Sequence, residues 1–453
     1  MPREHLLKIG VSGVRGVVGE FLTPSLTLSF AQAFGTYVGG GRVVVGRDTR
    51  TSGPMLQHAV HCGLLAAGCD VVDVGVLPTP TMQIYVEHIR ARGGIGLTAS
   101  HNPPEYNALK LFNAEGQFFN HYERNELLDL YHQRDFSQAQ NAAIGHVRRD
   151  DGTAKSIHIG RVLAKVDADR IKRRKFKVAL DAVNGAGSVM TPEFLTDSLG
   201  CRLDAIAIDP TKVFPRIAEP RPDTLGDLTA LVQKSGADVG FAQDPDADRL
   251  AIADETGHVV DNDDVLALAV LRALAVVPGD VVVNLTTSAA IDDIAKTFHR
   301  RVYRTPVGEA NVVDTMRAVR AAIGGEGSAG GVIFPAVQLC RDSYIAMAFL
   351  LDLMAETGQT VSQLVASLPA YTRKSGKVPF AHGRLGGLMQ ALEEGFPEAE
   401  ADRSDGLKLI WPDRWLHVRA SNTEPLLRLA VEARDGERAL ALYDTAWKLL
   451  TSL

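Results

Sequence analysis

Short apolar runs that read as buried strands alternate with helical patterns in three successive stretches of this chain. That alternation restricts the fold more than any other feature. In the first stretch, Arg42 to Val45 reads as a strand, Pro54 to Ala67 as a helix with proline near its start, Asp70 to Val74 as a strand, and Gly93 to Leu97 as another. In the second, Phe176 to Leu180 is a strand, Asn184-Gly185-Ala186-Gly187 opens a helix, and Ala237 to Phe241 is the next strand. In the third, the strand Asp280 to Leu285, the helix Ala289 to Phe298, the strand Arg301 to Thr305 and the helix Glu309 to Val319 lead into the loop Gly324 to Gly331. Such βα repetition predicts mainly parallel sheets covered by helices on both faces, with ligands at the carboxyl ends of the strands.

The last part of the chain changes character. Leu407 to Arg419 reads as a hairpin about Pro412-Asp413, followed by the strand Leu427 to Glu432 and a helix from Glu437 to Leu450. At 453 residues the chain exceeds one hydrophobic core. The expected fold class is α/β: three consecutive mixed, mainly parallel α/β domains and a smaller C-terminal α+β domain, divided as residues 1–145, 146–256, 257–370 and 371–453.

A net charge of −6 speaks against a nucleic-acid binder. The basic run Arg170 to Lys175 reads as a solvated linker before a strand. Cys62, Cys69, Cys201 and Cys340 lack metal-ligand spacing and fit reduced thiols, with Cys62 and Cys69 expected in the core. The N-terminus has no apolar signal-peptide region and no stretch is apolar enough to span a membrane, so a cytoplasmic protein is expected.

The chemistry gathers in the loops that end these strands. Thr98-Ala99-Ser100-His101-Asn102-Pro103-Pro104 presents a serine hydroxyl directly after Gly93 to Leu97. A serine-hydrolase elbow would need Gly-x-Ser-x-Gly, and here Thr98 and Asn102 occupy the glycine positions. Asp244-Pro245-Asp246-Ala247-Asp248-Arg249 sets three carboxylates at alternate positions and then a cation. An EF-hand needs glycine at its sixth position, where Arg249 stands, and a helix before the loop, where the residues read as a strand. Three mutually repelling carboxylates behind Val239-Gly240-Phe241 call for a divalent cation, and with a phosphate oxygen as a further ligand they suit Mg²⁺.

Weaker signals stand beside these. Val11 to Gly16 reads as a glycine-punctuated hairpin that holds Arg15 on a flexible backbone. Lys110 follows apolar Tyr106 to Leu109, where desolvation would lower its pKa towards general-base use. Glu326 lies in a glycine-rich loop that lets backbone and carboxylate approach a sugar hydroxyl. Arg419-Ala420-Ser421-Asn422-Thr423 offers guanidinium, hydroxyl and amide groups suited to phosphate.

Taken in order, Ser12 to Gly16, Thr98 to Lys110, Asp244 to Arg249, Gly325 to Ser328 and Arg419 to Pro425 resemble the loops of the α-D-phosphohexomutase superfamily over essentially the full chain. The resemblance implies four domains around one central cleft. It further implies a phosphorylated Ser100 and one Mg²⁺ held by Ser100, Asp244, Asp246 and Asp248. Arg15, His101, Lys110 and Arg249 would surround the reacting phosphoryl group, with Lys110 as proton acceptor or donor. Glu326 and Ser328 would bind the sugar, and Arg419, Ser421, Asn422 and Thr423 the phosphate that is not reacting.

The implied activity is interconversion of hexose 6-phosphate and hexose 1-phosphate through a sugar 1,6-bisphosphate that also serves as activator. The implied assembly is a monomer or homodimer acting on a small phosphosugar. Gly330 stands where many relatives carry histidine, and Ala108 replaces a usual glycine, which would tighten the loop around Lys110. The wording of the loops is most similar to the archaeal-type phosphoglucosamine mutase branch. The expected substrate is therefore glucosamine phosphate, with a phosphomannomutase/phosphoglucomutase as the alternative. A Mg²⁺-dependent sugar phosphatase or bisphosphate synthase would keep Ser100 but have no need of the clamp at Arg419 to Thr423. Intact Ser100, Lys110 and aspartates speak against a non-catalytic binding protein.

Overall fold

Alternation of side chains across each strand determines how the first sheet is buried. Val43 and Val45 pack with Phe30, Phe34, Leu64 and Leu97 on one face, and Val44 packs with Met82, Val86 and Phe112 on the other. A strand apolar on both sides has to be covered on both sides, and helices do so here. The computed structural model describes residues 7–10, 13–327, 330–380, 384–421 and 426–451. The chain divides into two compact bodies, Met1–Asp261 with Gly330–Leu364 and Asn262–Ala329 with Val365–Leu453.

The first body carries a seven-stranded sheet in the order Leu7–Gly10, Gly13–Val17, Tyr106–Phe112, Gly93–Leu97, Gly41–Arg47, Cys69–Val76, Val147–Arg149. The last four strands run parallel and the first three join them antiparallel. The N-terminal hairpin is present, but Arg15 sits within a strand opposite Ala108, not on a flexible loop. Glycine is required at position 13, where φ is +105° and a Cβ would lie 1.8 Å from the Leu109 carbonyl oxygen. Ala108, expected to tighten a loop, is a buried strand residue.

A four-stranded sheet follows, ordered Leu250–Ala253, Val239–Gln243, Lys177–Asp181, Arg202–Ile206, with only the first strand antiparallel. The helix expected from Asn184 is broken into a 3₁₀ turn at Ala186–Val189, one turn at Thr191–Glu193 and a π-type turn at Phe194–Ser198. Its entry is occupied by left-handed Val183 and Asn184, with φ of +49° and +55°. The hairpin Gly331–Phe334 with Gln338–Arg341 and the helix Ser343–Thr357 complete this body. The basic run at Arg170 is not a linker. It ends the helix Ala168–Arg174, and Arg170 pairs with buried Asp352 at 2.7 Å.

The second body joins two sheets. Val302–Thr305, Val281–Asn284 and Ile323–Glu326 are parallel, while Thr372–Pro379, Leu426–Ala433, Arg414–Ala420, Leu407–Trp411 and Glu400–Asp402 form an antiparallel sheet backed by Leu385–Gly395 and Gly436–Thr451. Polar ties link the two: Lys408 Nζ donates to the Leu285 carbonyl at 2.6 Å, and Glu432 Oε1 accepts from Ala289 N at 2.8 Å. The α/β class with a smaller C-terminal α+β module is thus the fold adopted. Of the cysteines, Cys69, Cys201 and Cys340 are buried; Cys62 is exposed, on the outer face of the helix Gly53–Ala66, contrary to its expected place in the core. No helix among the described residues is long and apolar enough to cross a membrane.

Candidate active site

Two loops of the first body meet at Ser100. The serine is buried, follows the strand Gly93–Leu97, and takes a left-handed φ of +49°. Ser100 Oγ donates to Asp244 Oδ2 at 2.8 Å, and His101 Nδ1 lies 3.3 Å from Ser100 Oγ. Asp244 begins the loop after Val239–Gln243, and Gly185 lets the chain pass closely beneath it. A Cβ on Gly185 would lie 2.6 Å from the Pro245 carbonyl oxygen, which instead accepts from Ala186 N at 2.7 Å.

Asp244, Asp246 and Asp248 are all buried, and each offers a carboxylate oxygen within 4.8 Å of the others. Burial, reinforced by the Asp246 and Asp248 charges, pushes the Asp244 carboxyl well above the usual range. Asp246 Oδ1 and Asp248 Oδ1 are buried with no hydrogen-bond partner among the described residues. Hard, converging, unsatisfied oxygens are the donor set of a small divalent cation, so these residues fit Mg²⁺.

Lys110 Nζ lies 2.5 Å from Asp246 Oδ2 and 3.4 Å from Asp248 Oδ2. Burial alone would lower its pKa, as its sequence setting suggested, but the two carboxylates outweigh burial and hold it above the usual lysine value. Lys110 is therefore held as an ammonium in this arrangement, opposite to the lowering that its apolar sequence setting suggested. Arg15 donates to Asn102 Oδ1 at 2.6 Å, and Arg249 N donates to Asp244 Oδ1 at 3.2 Å. Burial first, then the positive charges of Arg249, Arg15 and Arg341, lower His101 to about 2, so its imidazole is neutral. Ser100, His101, Lys110, Arg15, Arg249 and the three aspartates thus share one place.

Several neighbours escape a sequence reading. Arg341 donates to Asp248 Oδ2 at 3.0 Å, and Thr79 Oγ1 donates to Asp246 Oδ2 at 2.5 Å. Arg216 joins Asp181 to the Gln243 carbonyl at the base of the aspartate loop. Asp48 and Arg50 stand directly after the strand Gly41–Arg47. Their position at a carboxyl strand end was the available signal.

In the second body, Glu326 closes the strand Ile323–Glu326 and does not lie in a loop. Its buried Oε1 accepts from Asn284 Nδ2 at 3.0 Å and from Gly308 N at 2.8 Å. Arg419, near the end of Arg414–Ala420, is lowered by burial and by Arg428, while the Asp405 and Glu326 charges oppose that shift. Ser421 N donates to the Leu426 carbonyl at 2.9 Å. Ser328, Asn422 and Thr423 lie outside the described residues.

Comparison with known proteins converges on one assignment. Residues 6–138, 157–257, 261–371 and 384–446 match, in that order, domains I, II, III and the C-terminal domain of phosphoglucomutase/phosphomannomutase. A probable phosphoglucosamine mutase of Methanopyrus kandleri is 39% identical over 96% of each chain. A phosphoglucomutase/phosphomannomutase of Thermococcus kodakarensis is also 39% identical, over 97% of this chain and 98% of its own. Among solved structures, a phosphoglucomutase/phosphomannomutase family protein from Burkholderia thailandensis superimposes with a TM-score of 0.84 at 26% identity, covering 98% of both chains.

Proposed function

This chain belongs to the phosphoglucomutase/phosphomannomutase family and is a phosphosugar mutase, an isomerase, and on that basis we propose that Ser100 is the residue through which the phosphoryl group passes. The observation that carries this reading is the Ser100 hydroxyl, buried and 2.8 Å from Asp244 in a ring of aspartates, lysine and arginines. A loose phosphoryl-transfer transition state needs positioning and charge neutralisation above all, and this ring supplies both.

In the proposed cycle, the phosphorus–oxygen bond of phosphorylated Ser100 breaks as a bond forms to a free hydroxyl of the hexose phosphate. Lys110, charged at the outset, is assigned to give its proton to the departing serine oxygen and to take up in its place the proton displaced from that hydroxyl, so that it ends charged again. The resulting 1,6-bisphosphate then returns its other phosphate to Ser100 by the reverse step. Arg15 and Arg249 orient the transferring group, and neutral His101 holds the serine oxygen by hydrogen bonding. Asp244, Asp246 and Asp248 would hold one Mg²⁺ beside Ser100, and that ion, when bound, neutralises charge on the phosphoryl oxygens. Glu326 is assigned to the sugar hydroxyls and Arg419 and Ser421 to the second phosphate. Segments 1–145, 146–256, 257–370 and 371–453 are taken as the domains that bring the serine, metal, sugar and phosphate loops.

Glucosamine phosphate is the proposed substrate, with mannose and glucose phosphates as the alternative. Relatives named for both activities stand at 39% identity. The test is mutase turnover of the Mg²⁺-loaded protein on glucosamine 6-phosphate, mannose 1-phosphate and glucose 1-phosphate with glucose 1,6-bisphosphate as activator, beside Ser100→Ala. Preference for glucosamine phosphate, lost with the serine, supports the reading. Near wild-type turnover by Ser100→Ala, or phosphate release without isomerisation, overturns it.

A further inference from the structure

Arg50 uses the four N–H groups of its two terminal nitrogens on one loop. Its Nη2 donates to the carbonyls of Ser100 and Asn102 at 2.6 and 2.7 Å, and its Nη1 to those of Pro103 and Tyr106 at 2.6 and 3.0 Å. The remaining donor, Nε, reaches Asp48 Oδ2 at 3.0 Å, and both side chains are fully buried. Asp48 extends the connection: its Oδ2 accepts from Thr98 Oγ1 at 2.7 Å, and Thr98 Oγ1 accepts from Ser100 N at 3.0 Å. The Phe214 ring covers the guanidinium, 5.1 Å from its Cζ.

Such an arrangement opposes two costs. Four carbonyl oxygens turned towards one point repel each other unless a cation sits among them, and a planar guanidinium with five donors can satisfy all four and its counter-ion together. Ser100 also sits at a φ of +49°, a conformation that is strained for a non-glycine residue and persists only when its surroundings enforce it. Both backbone groups of Ser100 are held by this network, its carbonyl by Arg50 and its N–H by Thr98. With the backbone held, the hydroxyl stays on Asp244.

We propose that Arg50, anchored by Asp48, is a positioning residue for phosphoryl transfer, which holds the Ser100 loop in its left-handed form so that the serine oxygen stays aligned through both half-reactions. The inference rests on the reading of Ser100 as phosphoryl carrier. Arg50 itself bonds to backbone and to Asp48, and acts through Ser100.

The deciding variant is Arg50→Lys, which keeps a charge beside Asp48 but cannot bridge four carbonyls. The expected result is a folded protein whose kcat falls on the order of 100-fold, as misplacement by about 1 Å does. KM for the hexose phosphate stays near wild type, and phosphorylation of Ser100 by glucose 1,6-bisphosphate, followed by intact mass, slows in proportion. A kcat within about threefold of wild type, or a rise in KM with kcat preserved, overturns the proposal. Should Arg50→Lys fail to fold, Thr98→Val cuts the same network at the Ser100 N–H with little change in volume. It is expected to lower kcat at constant KM, and an unchanged kcat again overturns the proposal. Ser100→Ala, assayed in parallel, separates the two ideas. An active Ser100→Ala sinks the carrier reading, whereas an inert Ser100→Ala beside a fully active Arg50→Lys sinks the positioning role alone.

Discussion

Asp246 and Asp248 each keep one buried carboxylate oxygen without a hydrogen-bond partner among the described residues. Removing an ion from water costs several kcal/mol unless an opposite charge joins it; Lys110 and Arg341 reach the other oxygens, and Arg249 Nε comes no nearer than 3.9 Å to Asp248 Oδ1. Mg²⁺ at about 100 times its dissociation constant should therefore stabilise the fold by about 2.7 kcal/mol. The check is the melting temperature with Mg²⁺ against EDTA, with turnover lost in EDTA and restored by the metal; Asp246→Asn should abolish both responses. Lys408 is the converse case, a buried amine whose pKa burial and Arg304 hold well below the usual value. An unfolded lysine binds its proton up to pH of about 10.4 while the folded one does not, so burial of Lys408 weakens the fold below that pH. Any gain in melting temperature from Lys408→Met should hence shrink as pH is raised from 7 towards 10. Ser100 and the aspartates were legible because their residue types and spacing announce their chemistry. Arg341 and Thr79 were not, because only the fold brings them to Asp248 and Asp246.

At the level of elements, Gly185 determines how the aspartate loop lies. A methyl group there would press on the Pro245 carbonyl, so Gly185→Ala should cost about 1–3 kcal/mol and displace the loop. A weakened Mg²⁺ midpoint together with a lower melting temperature would show it. The strands and most helices could be read from apolar periodicity to within a few residues, and Glu309–Val319 agrees end to end. Glycine misled the reading twice. Asn184 to Gly187 looked like a helix start, but left-handed Val183 and Asn184 turn the chain into broken helical turns. Gly324 and Gly325 looked like loop, yet they pair in a strand where a Cβ on Gly324 would meet the Val282 carbonyl and Met316. Close packing, which no local pattern reports, required glycine there.

Over the whole molecule, burial sorts the thiols. Cys69 and Cys201 are pushed up to about 11 and about 12 by burial, Cys340 is buried, and Cys62 is exposed. A thiol-reactive dye at pH 8 should titrate one cysteine in the native protein and four after denaturation. Four successive segments were visible in the sequence, but the return of 330–364 to the first body was not, since it depends on contacts such as Arg170 with Asp352. That return has a consequence for synthesis. Ser343 donates to the Ala247 carbonyl at 2.7 Å and Arg341 pairs with Asp248, so the aspartate loop receives its last supports from chain made some 90 residues later. A ribosome that has finished residue 261 has produced Ser100 and the three aspartates of the loop, yet not the parts that brace them. The growing protein must emit most of its second body's parallel layer before its first can close. The completed arrangement therefore arrives late in translation, and a prematurely terminated chain carries the serine and aspartate loops without the frame that braces them.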